Sequence, residues 1–318
     1  MRHALKPGHL AVRRCRVGVV PVLGRRGRRY ARRDALSRRD PDMDYHEIYR
    51  QLATLEFPWD IYQALSFALF RTYAVPSIGG LLHRSGEFTA RVQKRYDDTV
   101  LILDAVLEHG FDHPTGRAAI RRMNQMHGSY PISNDDLRYV LDAFVVVPVR
   151  WLRDYGWRQL TEVELRACVA YYQRLGTLMG IQDVPADLAC FERLLDDYEA
   201  EHFHRNDNSR RIADVTLDLM ATFPAQRMLP SSWVRRGAQA LMDPALIDAL
   251  GYRPPNRRLV AGVHRALRAR GAFVRRLPPR RRAAYPSRRA DIRSYRPGYD
   301  VAALGTFPRA EHSHDIAG

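Results

Sequence analysis

The sequence predicts an all-α fold, and three observations carry that expectation. From Asp44 to about Arg270 the apolar residues recur mostly at helical spacing. No convincing run of alternating β-branched residues bounded by hairpin turns breaks that pattern. Ser133 with Asp136, and Thr161 with Glu164, set a hydroxyl three residues before an acid, the arrangement that caps a helix start.

The helices implied run 45–73, 86–109, 114–128, 134–155, 162–179, 186–204, 208–222 and 231–250, each boundary good to a few residues. Gly110, Gly156 and Gly180 fall where helices should stop, and Pro114, Pro131 and Pro185 fall just before or inside new first turns. Short connections make consecutive helices neighbours, giving a multi-helix bundle. The segment 134–155 carries Leu137, Val140, Leu141, Phe144, Val145, Val147 and Trp151 almost all round, which marks a central buried helix. Pro148 should kink it. Beyond residue 252 the chain turns to proline and arginine, with Pro254-Pro255, Pro278-Pro279 and Arg280-Arg281-Arg282. There it should wrap the body irregularly, with one further helix near 257–270.

The chain has 318 residues and a net charge of +16, which at first suggests a nucleic-acid partner. The charge is segmental. Residues 1–42 carry 13 cations against 3 acids and residues 253–298 carry 15 against 1, whereas residues 43–252 carry 22 against 28. All but Lys6 and Lys94 are arginines, without the interleaved stacking aromatics or motif of a nucleic-acid site, so no nucleic-acid partner is expected. Residues 1–42 read as a solvated tail or a segment outside the working protein, Met43 being a natural start, and residues 43–305 as one domain. Residues 306–318 read as a flexible end. Asp34, Asp40 and Asp42 argue against a transit peptide.

Cys15, Cys168 and Cys190 are odd in number and lack CxxC spacing, which fits a reducing, cytoplasmic setting and no disulfide framework. The apolar run Ile61 to Leu82 is broken by Arg71, Pro76 and two glycines and makes a poor membrane span. Basic flanks near apolar helices suit anionic lipid headgroups, so peripheral membrane contact stays compatible with the chain.

Among residues that could carry chemistry, Ile120, Met123 and His127 share one helix face, so His127 should point inward. It is either a buried histidine bonded to a carbonyl or a metal or haem ligand. On the preceding helix Arg95 and Thr99 stand four apart, and Thr99 lies in the stripe Val92, Tyr96, Val100, Leu103, Leu107. Arg95 must pair with Asp97 or Asp98, snorkel to water, or meet an anion such as a haem propionate. A hairpin with a guanidinium and hydroxyl on one arm and an imidazole on the other could bracket a flat macrocycle. Glu199 and His202 form one Glu-x-x-His pair, but a di-iron carboxylate site wants two, and Asn124 stands three before His127. No nucleophile elbow, phosphate loop, dinucleotide fingerprint or HExxH motif occurs.

The order and spacing of several pieces resemble the MpaB-type oxygenases, a family that includes the latex-clearing rubber oxygenases. Those pieces are His127 to Asp136 (HGSYPISNDD), Phe144 to Trp151 (FVVVPVRW), Tyr155 to Arg158 (YGWR), Leu175-Gly176 with Met179-Gly180-Ile181, Val184-Pro185, Tyr198-Glu199 with His202-Phe203, and Ser294 to Tyr299. The resemblance covers most of residues 44–305. It implies an all-α fold binding haem b, with a histidine as axial ligand and O2 used to attack a carbon–carbon double bond. His127 takes the place of the haem histidine and iron ligand, and Arg95 and Thr99 that of a haem-pocket arginine and threonine. Asp98 stands where rubber oxygenases carry a lysine, and Ser77-Ile78-Gly79-Gly80 offers no glutamate where they carry a proposed base, Glu87 being the nearest. A small apolar unsaturated substrate, isoprenoid or lipid-like, is therefore expected in place of polyisoprene. The expected function is a haem b-dependent oxygenase. The alternatives are a non-catalytic helical or peripheral membrane protein, and a di-iron oxidoreductase.

Overall fold

A computed structural model describes residues 25–224, 226–295 and 298–305. Among these residues every regular element is helical: fourteen α-helices, a π-helical turn and two 3-10 turns, with no strand. The all-α expectation is met. The sequence readings of residues 1–24 and 306–318 lie outside the described residues.

Helix α1 (Arg25–Leu36) precedes α2 (Tyr45–Gln51), a π-helical turn (Leu52–Glu56) and α3 (Pro58–Tyr73). Next come α4 (Pro76–Arg84), the one-turn α5 (Glu87–Ala90), α6 (Val92–His109) and α7 (Pro114–His127). Helices α8 (Asn134–Tyr155), α9 (Glu162–Leu178), α10 (Leu188–His202) and α11 (Asp207–Ala221) follow. The series ends with α12 (Ser231–Gln239), α13 (Pro244–Ala249) and α14 (Arg257–Val274).

Three expected helices are divided, each at a residue whose backbone leaves the helical region. The first breaks at Phe57, where Pro58 opens α3 as a first-turn proline. Arg91 leaves the helical region before α6, and Asp243 caps α13 ahead of Pro244. Helix α4 was not expected at all, because Pro76, Gly79 and Gly80 read as breakers. Pro76 instead initiates the helix, and Gly79 is where it meets α11: a Cβ there would collide with Ser209 Oγ and the Tyr73 carbonyl. The caps expected at Ser133 and Thr161 both form, the second as a full capping box with Glu164.

Residues 25–42 differ from the solvated tail expected of them. Leu36 is buried, the Arg29 guanidinium sits 4.1 Å over the Trp157 ring, and Arg32 pairs with Glu56 at 2.7 Å, so α1 packs on the body. Helix α8 stays helical through Pro148 and packs against α3, α9, α10 and α14. The segment after α14 lies along α6: Asp104 accepts from the Ser287 backbone, and Asp97 from the backbones of Arg293 and Ser294. Gly305 closes on α7 with φ +83° and no room for a Cβ beside the Met126 sulfur. No single helix among the described residues is long and apolar enough to cross a membrane. Helices α3 and α4 together pass by length and composition, but they bend by 93° at their junction and pack against α8 and α11.

Candidate active site

A cavity of about 380 Å³ opens between α3, α4, α6, α7, α8 and α11. Its volume lies within the range of small-molecule sites. Most of the wall is aliphatic and aromatic, including Phe70, Ile78, Leu82, Phe88, Val100, Leu103, Met123, Val140, Phe144 and Phe223. The three residues singled out from sequence, His127, Arg95 and Thr99, all border it.

His127 closes the last turn of α7, on the face that buries Ile120 and Met123. Neither ring nitrogen has a hydrogen-bond partner among the described residues, and Nδ1 is inaccessible as well as unpartnered. Other buried polar atoms without partners belong to Arg29, His83, Asp104, Asn124, Asp142, Arg158 and Ser209, none of which lines the cavity. The carbonyl bond of the plain buried-histidine reading is absent among the described residues. Burial first, and the Arg95 charge second, push the imidazole down to about pKa 4. His127 is therefore neutral at pH 7 and keeps a free lone pair.

Arg95 reaches the cavity from α6 and has no carboxylate partner among the described residues. Its guanidinium lies 5.8 Å from the Phe88 ring centre. Pairing with Asp97 or Asp98 is prevented because both are taken. Asp98, fully buried, is bound by Lys94 at 2.9 Å and accepts from the Tyr295 hydroxyl. Asp97 accepts from Gln93 and from the backbones of Arg293 and Ser294 on the segment after α14, a strap along α6. Thr99 Oγ1 donates to the Arg95 carbonyl at 3.0 Å, so it can accept from a bound group while that bond stands.

Other polar groups on the wall were given no site role by the sequence reading, which named Glu87 only as the nearest glutamate. Glu87 is buried, lines the cavity and is paired with Arg91 at 2.5 Å. Asp136 lines it too and accepts from Ser77 and Tyr198. Tyr96 lines it while its hydroxyl donates to Asp291 on the strap. Glu87 and Arg91 stand four apart, but no spacing signals the other convergences, whose partners lie 59 to 195 residues apart.

The Glu199–His202 pair does not assemble a metal site. Glu199 accepts from Arg71 and from the Tyr139 hydroxyl. His202 stacks on Tyr198 with centroids 4.0 Å apart and bonds its carbonyl. Among the described residues no group of three or more His, Cys, Asp or Glu side chains is placed to hold an ion. The di-iron alternative thus lacks its donor set. His109 and His113 are exposed and stacked on each other, as a surface role predicts.

An all-α protein with a single neutral histidine, an unpaired arginine and an apolar cavity defines a class of helical pocket proteins with one nitrogen donor. Residues 61–276 match the family described as ER-bound oxygenase mpaB/B'/Rubber oxygenase, catalytic domain, and the chain belongs to that family. It is similar to ER-bound oxygenase mpaB' of Penicillium brevicompactum, 30% identical over 74% of this chain and 60% of that protein. It is also similar to ER-bound oxygenase mpaB of the same species, 31% identical over 52% of this chain and 47% of the other. ER-bound oxygenase mpaB of Penicillium roqueforti (strain FM164) is 33% identical over 44% of this chain and 49% of that protein. The chain thus spans about half the length of the relatives it matches. The family is one of oxygenases, hence of oxidoreductases.

Proposed function

We propose that the chain is a haem b-dependent oxygenase that uses O2 on a small apolar unsaturated substrate, isoprenoid or lipid-like. The observation that carries this reading is a pair of groups in one apolar cavity that find no partner among the described residues: a neutral imidazole without a hydrogen bond and a guanidinium without a carboxylate. An unpaired cation costs free energy in an apolar wall unless an anion is meant to meet it. An iron porphyrin, which takes a nitrogen donor and carries two carboxylates, would suit both groups.

His127 would supply a nitrogen to hold the iron, and its depressed pKa keeps it unprotonated and able to bind throughout neutral pH. Arg95 would pair with a propionate. Thr99, its own proton committed to the Arg95 carbonyl, would accept a hydrogen bond and so orient a water or other donor at the pocket face. Haem b would supply the redox-active iron on which O2 chemistry depends. The aliphatic and aromatic wall would hold an alkene and exclude bulk water.

Two features favour a substrate other than a polymer. Asp98 is fixed by Lys94 and Tyr295 and has no role as a nitrogen ligand. Within Ser77-Ile78-Gly79-Gly80 no carboxylate is present, Gly79 has no room for one against Ser209 and the Tyr73 carbonyl, and Ser77 donates to Asp136. The relatives are ER-bound by name, and for this chain we extend that to peripheral contact with a membrane from the cytoplasmic side. Reconstituted protein should consume O2 with an unsaturated isoprenoid and not with its saturated counterpart. Equal consumption with both, or with neither, counts against the reading.

A further inference from the structure

Outside the cavity the largest unexplained feature is the surface formed by α12 and α14, which pack against each other. Residues 227–282 carry 14 arginines against two acids. On α14 one face is anchored to the body: His264 bonds the Tyr155 hydroxyl, Gly271 abuts the Tyr155 carbonyl and Arg270 pairs with Asp60. The opposite face is exposed and two-toned. Arg258, Arg265, Arg268, Arg275 and Arg276 stand there with no carboxylate partner among the described residues. Beside them Leu259 and Phe273, two heptads apart and so on one side of the helix, are 36% and 58% exposed.

The segment leading into α12 adds more apolar surface: Met228 is 83% exposed, Leu229 51% and Trp233 67%. Like charges crowded on one face repel one another unless an anion lies against them. Large apolar side chains left in water beside them need an apolar phase as well. A nucleic acid offers phosphates but no aliphatic medium for Leu259, Met228 or Leu229. An anionic bilayer offers both, with arginines at the headgroups and Trp, Leu and Phe at the acyl boundary.

We propose that α12, α14 and residues 226–230 form a surface that docks the protein on an anionic lipid bilayer. The surface runs directly into the cavity wall, because Leu219, Met220 and Phe223 line the cavity just before Met228. Docking would set the pocket beside the phase in which an apolar substrate dissolves. The inference does not depend on the bound cofactor, so it stands or falls separately from the oxygenase reading.

The test is flotation of the full chain with phosphatidylcholine vesicles, with and without phosphatidylglycerol, at several salt concentrations. Binding should require the anionic lipid and weaken with salt. The double variant Arg258→Glu/Arg265→Glu should bind at least about tenfold more weakly. Leu259→Ser/Phe273→Ser should also weaken binding, with the thermal transition of both variants unchanged. Trp233 is the exposed tryptophan, so emission should shift to the blue on anionic vesicles in the wild type and not in Trp233→Phe. Wild-type vesicle affinity in the charge-reversed protein would overturn the proposal by assigning binding to other basic segments. Retention by RNA with no vesicle binding would overturn it in favour of a nucleic-acid surface.

Discussion

Two parts of this molecule set polar groups against apolar packing and treat them in opposite ways. Around the π-helical turn, Arg158 is held by Glu164 through both terminal nitrogens at 2.7 Å and by Glu56 at 3.2 Å. Glu56 is shared with Arg32, its carbonyl accepts from Trp157, and Glu164 also completes the α9 capping box. Burial alone would lower the Arg158 pKa, but Glu164 and Glu56 outweigh it and raise it. At the α6/α7 hairpin, by contrast, Arg95 has no acid and His127 no acceptor among the described residues. The first region spends its polar groups on folding, and the second leaves them available to something that is not protein. Both regions contribute to the family resemblance, Tyr155 to Arg158 in one and His127 in the other, so shared residues alone do not separate scaffold from site.

The largest effect expected from this contrast is on stability. Arg158→Ala should cost about 3 to 5 kcal/mol in urea unfolding, because two buried carboxylates lose their cation. Arg95→Ala should cost less than about 1 kcal/mol. Comparable losses in the two variants would break the distinction.

Asp142 sharpens it. This buried carboxyl also has an unpartnered oxygen but lies away from the cavity, and burial pushes it up to about pKa 8. Because its folded pKa exceeds the unfolded value, the folded state holds the extra proton. Stability should therefore fall as pH rises from about 4 to 8, by an amount on the order of a few kcal/mol. Asp142→Asn should flatten that slope and leave cofactor binding alone. A slope unchanged in the variant would refute the assignment. An unpartnered atom is thus evidence of a site only where it faces a cavity.

Gly79→Ala should lose about 1 to 3 kcal/mol by forcing α4 away from α11. Its thermal transition reports the loss, and wild-type stability would show that the contact gives way without cost. Thr99→Val should have the smallest effect, under about 0.5 kcal/mol on folding, with any change confined to the spectrum or turnover of the loaded protein.

Much of this was legible in the chain. The caps at Ser133 and Thr161 fixed α8 and α9, and the facing of Ile120, Met123 and His127 followed from helical spacing. Helix α4 was not legible, because glycines that break an isolated helix are here required by a neighbouring one. Nor was the freedom of Arg95, since Asp98 lies close enough in sequence to pair with it. What frees Arg95 is the capture of Asp98 by Lys94 and by Tyr295, 197 residues beyond Asp98. Glu87 and Tyr96 reach the cavity for the same tertiary reasons.

The central claim is that His127 is an open nitrogen donor for haem b. Titration of purified protein with haemin, followed in the Soret region, tests it most directly. The account predicts a Soret band saturating at one equivalent in the wild type, and loss or a marked shift of that band in His127→Ala with the fold retained. No Soret band in the wild type, or a wild-type spectrum in His127→Ala, would contradict it.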